Sequence, residues 1–551
     1  MWSFVSFVFA CLTQVPGGAW ERELHVVNPS SADALFGWAL SSVEDVNGDG
    51  INEILIGAPS ESIWGTGFQG AVYLFSGHDG SQLLRVEGNW EGEAFGTSLS
   101  FLGDINGDGC PEFIVGTGSQ SQSNPSKVYV ISGCTGISVY EIQSPNLMDR
   151  FGFAVVSVDD LDGDLVRDFV VGAPDSSPNG VWAAGEVVVF SGKSGSVLYR
   201  FSGQISGESL GHVVGAIGDV DGDWIPDLAA SSFRGGLTGT IFTISGATGQ
   251  FLYRVDGFTS DERFGSAIDN IGDIDLDGYS DYIIGADKAS EGFFEPGAAY
   301  VLSGMDGSMI HQYQGEGNFS AFGSDVLGGV DLDYDDVPDF AVAARFADFG
   351  GVSGQGAVYV YSGRDGELLT RFVGQEREYL GTTLDFVNDI SGDEKDEIMF
   401  YENAGVPPGT RNPGAIGIYS FDSFLEADRL SISSSQGGTV KFDHKFPISE
   451  GGKAYRLLAS SDRRGIAHWN GVDVPLAKTW LLHRTAFGGL GGIPGAVGFL
   501  DSNGHAITLM SLNPGVASAF IGRTIGFASV TFHAPDQPSL SSARILVLIE
   551  P

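Results

Sequence analysis

The stretch FGWALSSVEDVNGDGINEILIGAP, residues 36–59, decides the fold. It opens on Phe36-Gly37, passes through a short run of apolar and small residues, breaks into an acidic loop at Asp45, and resumes as an apolar strand ending Ile56-Gly57-Ala58-Pro59. A Gly-rich connection leads to AVYLFSG (71–77), a turn at His78-Asp79-Gly80 and one more strand. Four short strands separated by turns make one blade of an antiparallel propeller.

The block recurs along the chain. Acidic loops start at Asp45, Asp104, Asp160, Asp219, Asp273, Asp331 and Asp389, at spacings of 59, 56, 59, 54, 58 and 58 residues. Repetition at such a period marks a ring or an array. A solenoid needs atypical capping ends, whereas these ends complement one another. Blade 7 runs through AIGIYS (415–420) and stops without a fourth strand, and ELHVVNPSSADALFG (23–37) resembles the tail of a repeat such as YEIQSPNLMDRFG (140–152). The expectation is an all-β chain: a seven-bladed β-propeller over residues 22–424, closed by an outer strand around Leu24–Val27. After it, LSISSS, GTVKFDHKF and ARILVLIE alternate as strands, which predicts a small C-terminal β-sandwich-like domain over 425–551. Asp501-Ser502-Asn503-Gly504 predicts a hairpin between GAVGFL and HAITLM.

Composition agrees. The 82 glycines among 551 residues supply the positive-φ positions that many tight turns need. Charge is unevenly placed. Residues 1–424 hold 17 basic and 61 acidic side chains, a net of −44, while 425–551 hold 11 and 9, a net of +2. Such an acidic field repels nucleic-acid phosphates and anionic lipid heads and favours cations.

The acidic loops present oxygen side chains at positions 1, 3, 5 and 9. These are Asp45, Asn47, Asp49 and Glu53; Asp104, Asn106, Asp108 and Glu112; Asp160, Asp162, Asp164 and Asp168; and Asp219, Asp221, Asp223 and Asp227. The remaining three loops carry Asp273, Asp275, Asp277 and Asp281; Asp331, Asp333, Asp335 and Asp339; and Asp389, Ser391, Asp393 and Glu397. Hard oxygen ligands without imidazole or thiolate select Ca²⁺. Crowding carboxylates into nine residues without a cation costs repulsion. An EF-hand would need a carboxylate at position 12, and here that position is apolar in every loop, from Ile56 to Phe400. Loops 1, 2 and 5 keep Gly50, Gly109 and Gly278 at position 6; Leu165, Trp224, Asp336 and Glu394 stand there in the others and leave room for distortion.

Phe36-Gly37 with Ile56-Gly57-Ala58-Pro59, and Phe151-Gly152 with Val171-Gly172-Ala173-Pro174, resemble the FG-GAP repeat of integrin α-subunit heads. The resemblance spans about residues 23–424. It departs at Leu210-Gly211 and Leu380-Gly381, in blades lacking Gly-Ala-Pro, and in having no inserted adhesion domain. It implies a calcium-binding propeller that engages partners on the face opposite its metal loops.

Several readings of location and function follow. Trp2 to Val15 is an apolar run with a small-residue exit, so residues 1–19 read as a signal peptide and the protein as secreted or at the cell surface. No later segment reaches the ~18 apolar residues of a membrane span. Cys110 in the loop of blade 2 and Cys134 after its Ser-Gly turn emerge on one face, which predicts a disulfide. The nine histidines are scattered, with no His-Glu-x-x-His pair and no local cluster, so the expectation is not an enzyme but an adhesion or ligand-binding module. The alternatives are a secreted hydrolase acting on carbohydrate or lipid through a propeller cleft, and a structural surface-layer component. A protein or glycan ligand is expected at the face opposite the calcium loops. The connections between second and third strands there carry Trp64, Phe68, Trp182, Phe233, Phe293, Phe294, Phe346 and Phe349.

Overall fold

The computed structural model describes residues 35–419 apart from 63–67, 120, 234–237, 260–261, 290–294, 333–336, 389, 391–395 and 402–414; elsewhere it describes only the backbone of strands. Contacts divide the chain into two compact units, one of Trp20–Arg371 with Glu376–Ser423, the other built on Phe424–Pro551.

The first unit is a seven-bladed propeller. Blade 1 pairs Ala39–Val43, Glu53–Ala58, Ala71–Ser76 and Gln82–Glu87 in order as antiparallel neighbours. Its second and third strands are buried throughout, as their unbroken apolar runs require, and the outer strand is half-buried at its centre and exposed at its ends. Five further sheets repeat this order, starting at Ser98–Gly103, Ala154–Val158, Val214–Gly218, Phe264–Gly272 and Phe322–Val330. Blade 7 takes Leu384–Val387, Glu397–Glu402 and Ala415–Phe421 from its own repeat, and its outer strand is the N-terminal Glu21–Val27. First strands of successive blades lie side by side, and Ala39–Val43 meets Leu384–Val387, so the ring closes. Closure covers the edges that an open array would leave exposed.

The core lies between blades. One cluster joins Leu55, Val72 and Leu74 of blade 1 to Phe113, Val115 and Tyr129 of blade 2, and another joins Phe36, Ile56 and Tyr73 to Met399 and Ile416 of blade 7. The rings that open the repeats, Phe36, Phe95, Phe264 and Phe322, are at most 1% exposed. Truncating such a ring to Ala costs about 3–5 kcal/mol.

Two glycines of the repeat have a shared reason. A Cβ on Gly57, Gly116, Gly172 or Gly285, near the end of the second strand, would lie 2.1–2.3 Å from the carbonyl oxygen of the Gly that follows Phe or Leu in the next blade. Adjacent blades therefore approach backbone to backbone. Blades 4, 6 and 7 have Ser231, Ala343 and Tyr401 in that place; at the first two the neighbouring glycine faces the substitute's Cβ instead.

In the second unit, Gly438–Lys445 pairs with His505–Leu512, and Thr524–Ala534 pairs with Ala454–Ser460 and Ile545–Glu550. Among the described strands, Val497–Phe499 and His505–Leu512, on either side of the turn expected at 501–504, do not pair with each other. Val497–Phe499 pairs with Ala454–Ser460, so the strands flanking the turn sit in different sheets. An Asn-Gly signal is local, and the eight-residue ladder offered by Gly438–Lys445 outweighs it. Residues 501–504 themselves lie outside the described residues. Among the described residues no helix is long and apolar enough to cross a membrane.

Candidate metal loops and the opposite face

Each acidic loop joins the first strand of a blade to the second. In loop 1 the Asp45 carboxylate accepts N–H bonds from Gly48 at 2.6 Å, Asp49 at 3.2 Å and Gly50 at 2.8 Å. Asn47 Oδ1 accepts from Asp49, and Asp49 Oδ1 from Ile51. The same winding recurs around Asp104, Asp160, Asp219 and Asp273. The distortion expected at Leu165 and Trp224 does not occur. Both adopt φ of 68° and 71°, as Gly50 does at 85°, and both donate to the position-1 carboxylate. Their side chains are 93% and 91% exposed, so only backbone strain opposes them.

Position 9 is the part common to every loop. Glu53, Glu112, Asp168, Asp227, Asp281, Asp339 and Glu397 are all fully buried at the head of the second strand. Each accepts the N–H of position 2, from Val46, Ile105, Leu161, Val220, Ile274, Leu332 and Ile390, at 2.7–3.1 Å. In four Asp loops the second oxygen accepts the amide of the Ser-Gly turn: Gly192, Gly246, Gly304 and Gly363. Sequence reasoning missed this bond. Its signal was the recurrent Ser-Gly: a Cβ there would lie 1.8–1.9 Å from the carbonyl of position 8 in these blades.

In four loops the carboxylates converge. Ligand oxygens of Asp45, Asp49 and Glu53 lie within 4.8 Å of one another, as do those of Asp160, Asp162 and Asp168, of Asp219, Asp221 and Asp227, and of Asp273, Asp275 and Asp281. Asp164, Asp223 and Asp277 cap the amide of position 7 instead. In loop 2, Asp104, Asp108 and Glu112 do not make such a triple; Glu112 Oε1 accepts from Asn106 Nδ2 at 3.0 Å. Asp333, Asp335, Asp389, Ser391 and Asp393 lie outside the described residues.

Electrostatics separates the two ends of the loop. Burial, with the loop's other carboxylates adding to it, pushes Glu53 and Glu112 up to about 7 and Asp168, Asp227 and Asp281 up to about 6. Desolvation also acts on Asp45, Asp104 and Asp160, but the loop amides outweigh it and hold these three below the usual carboxylate range. Glu53 Oε1 is buried with no hydrogen-bond partner, beside Asp45 and Asp49. An all-oxygen set with an unsatisfied buried oxygen fits a hard divalent cation.

Comparison with known proteins agrees with the repeat geometry. The family model described as FG-GAP repeat matches residues 36–75 and 95–131. This is an integrin-α-like FG-GAP propeller. Integrin alpha-V of Gallus gallus is 30% identical over 206 residues, 34% of this chain and 19% of its own length. Integrin alpha-4 of Xenopus laevis is 27% identical over 260 residues, 44% of this chain and 24% of its own. Human phosphatidylinositol-glycan-specific phospholipase D is 27% identical over 442 residues, 66% of this chain and 51% of its own. The chain thus spans from about a fifth to half of these relatives.

On the opposite face of the FG-GAP propeller, Trp182, Phe68 and Phe346 are 68%, 57% and 46% exposed. Phe349 lies under the Arg371 guanidinium at 4.6 Å, and Phe233 packs on His212 with ring centroids 4.3 Å apart. These two are packing residues as much as exposed ones. Trp64, Phe293 and Phe294 lie outside the described residues. Sequence reasoning also missed a second acidic set. Glu93, Glu208 and Glu262, two residues before Phe-Gly or Leu-Gly, are buried and cap nearby backbone amides. The recurrent Glu-x-Phe-Gly spacing was the available signal.

Cys110 and Cys134 are joined by a disulfide.

Proposed function

We propose that this chain is an extracytoplasmic ligand-binding or adhesion module whose acidic loops hold Ca²⁺ and whose partner, a protein or glycan, docks on the opposite face. In this reading residues 1–19 direct export, 22–424 form the working propeller and 425–551 a separate domain. The ligands are the position 1, 3, 5 and 9 side chains of the seven loops, from Asp45, Asn47, Asp49 and Glu53 onward. The observation that carries the reading is the buried position-9 carboxylate in every loop, whose spare oxygen in loop 1 has no protein partner. Bound calcium would supply charge neutralisation there and lock the turn between first and second strands. The similarity to integrin alpha-V and alpha-4 supports binding as the task, and the Cys110–Cys134 disulfide supports an oxidising compartment.

Equilibrium dialysis against ⁴⁵Ca²⁺, followed by capture of surface proteins and glycans from the native cells with and without calcium, tests it. Several calcium ions per chain and calcium-dependent capture are expected; a chain that binds no calcium sinks the reading. A second reading, hydrolysis of a phosphatidylinositol-glycan, rests on the similarity to the phospholipase D. Release of lipid by the purified chain would favour it.

A further inference from the structure

Between blades 3, 4 and 5 a cavity of about 260 Å³ is lined by Arg150, Asp175, Ser209, His212, Phe233 and Arg263. Arg150, Ser209 and Arg263 each stand immediately before the Phe-Gly or Leu-Gly that opens a blade. Asp175 and Phe233 follow the second strands Asp168–Ala173 and Asp227–Ser232. In antiparallel blades both places lie at the end opposite the metal loops, so the cavity opens on the proposed docking face.

The cavity is built of ordered groups. The Arg150 guanidinium sits 3.6 Å from the centroid of the Phe153 ring, and the His212 ring packs against Phe153 at 4.8 Å and Phe233 at 4.3 Å. Arg263 lies over Phe233 at 5.4 Å and pairs with Asp287 at 3.0 Å. Arg150, Ser209 and Arg263 hold φ of 55°, 55° and 56°, a region that costs energy for residues with a side chain. Two arginines converging is notable where residues 1–424 carry 17 basic against 61 acidic side chains. Ser209 adds an independent sign. It is 3% exposed, and its buried hydroxyl has no hydrogen-bond partner. An unmet buried hydroxyl is unfavourable, and a bound acceptor removes that cost.

We propose that this cavity binds the carboxylate of an acidic side chain presented by a protein partner. The proposal deepens the docking reading above and rests on it for the partner. A guanidinium offers a planar fork of donors matched to a carboxylate. Arg150 pairs with Asp175 at 3.9 Å, and Arg263 and Arg345 share Asp287 at 3.0 and 3.5 Å, so three arginines against two aspartates leave one positive charge, which a single negative charge balances. A phosphate dianion would overshoot that balance beside Asp175 and in the field of an acidic domain. The lining offers one carboxylate acceptor, too few to order the hydroxyls of a sugar acid. The Ser209 hydroxyl makes no bond to the His212 imidazole, so its donor is open to a bound acceptor.

Calorimetric titration of the full calcium-loaded chain decides it. The probes are a blocked Gly-Glu-Gly peptide, its Gly-Gln-Gly counterpart, glucuronate and inorganic phosphate. The Glu peptide is expected to bind at least about tenfold tighter than the Gln peptide, and Arg263→Gln to weaken it by a similar factor. Ser209→Ala is expected to weaken it several-fold while leaving the melting temperature unchanged or higher, a result that holds even if Arg263→Gln folds poorly. Equal binding of the two peptides, tighter binding of glucuronate or phosphate, or indifference to Ser209→Ala overturns the proposal. Failure here with partner capture still lost in Trp182→Ala removes the carboxylate site alone. Capture that ignores every variant of this face removes the docking reading, and the peptide titration still judges the cavity.

Discussion

On one face of the ring, seven loops begin with Asp and bury a carboxylate at position 9 against the amide of position 2. On the other, the connections share no position-by-position chemistry: Trp182 stands exposed in blade 3, Phe233 packs on His212 in blade 4, and Phe346 stands exposed in blade 6. The first face repeats because each loop solves the same problem, turning the chain while satisfying buried amides and holding charge. The second is free to vary because a rigid scaffold beneath it carries the stability. If that division is right, changes on the metal-loop face cost stability, and changes on the other cost recognition.

The largest effect is expected from calcium. Extracellular modules bind it at about 10⁻⁴–10⁻³ M, so at millimolar calcium each loop contributes on the order of 1 kcal/mol and seven contribute several. Urea unfolding with and without EDTA measures it. A loss of about 5 kcal/mol is expected; superimposable curves would mean the loops are solvated turns, and the contrast between faces would collapse.

Next comes the disulfide on the same face. It closes a loop with a sequence separation of 24 residues between Cys110 and Cys134. Replacing both by Ser is expected to cost about 3 kcal/mol by loop entropy. A change well under 1 kcal/mol would show that the metal loop of blade 2 already restrains that turn.

A smaller effect sharpens the comparison at the inner strands. Asp269 accepts the N–H of Gly328, Asp325 that of Leu384 and Asp385 that of Ser42, so each bridges first strands of neighbouring blades. Burial pushes all three up to about 7, and the nearby carboxyls add to this for Asp269 and Asp385, while Arg345 opposes it for Asp325. Their folded values lie above the ordinary 3.8, so between there and about pH 7 the native state binds more protons than the unfolded chain. Their contribution is full below pH 4 and is lost as pH rises through 7. Asp385→Asn should flatten that decline by on the order of 1 kcal/mol, given partial solvent access. Unfolding midpoints at pH 5 and pH 8 in EDTA, for both proteins, provide the check; an unaltered slope refutes it.

The two faces also differ in how legible they were. Phe36-Gly37 and Gly57-Ala58 recur at a fixed period because blades touch backbone to backbone there, and a periodic constraint leaves a periodic trace. Position 9 was legible with the other loop oxygens for the same reason. Its bonds to the position-2 amide and the Ser-Gly turn did not, since apolar Val46 or Ile390 gives no hint that its N–H is the functional part. Leu165 and Trp224 looked disruptive because residue type was judged and not the exposure that makes a positive φ tolerable. The cavity was missed for a different reason: Arg150, Ser209 and Arg263 share the position before Phe-Gly or Leu-Gly in consecutive repeats, but their residue types differ, so no periodic chemistry stands out there.

The smallest expected stability effect is the most telling for function. Trp182 is 68% exposed on the connection after the second strand of blade 3, and its carbonyl accepts from Gly207. The indole therefore buries little, while the backbone that presents it is held. Trp182→Ala keeps that carbonyl, so its unfolding free energy should stay within about 0.5 kcal/mol of the parent, the range of ordinary surface substitutions. An exposed Trp at the centre of an interface often contributes 2 kcal/mol or more to binding, so capture of the calcium-dependent partner should fall by about thirtyfold. The paired measurement is what counts: chemical unfolding of both proteins, and capture titrations from the same cell-surface preparation. A variant that loses several kcal/mol of stability would make Trp182 a packing residue. One that is stable and still captures the partner at parental affinity would move the docking surface elsewhere on this face.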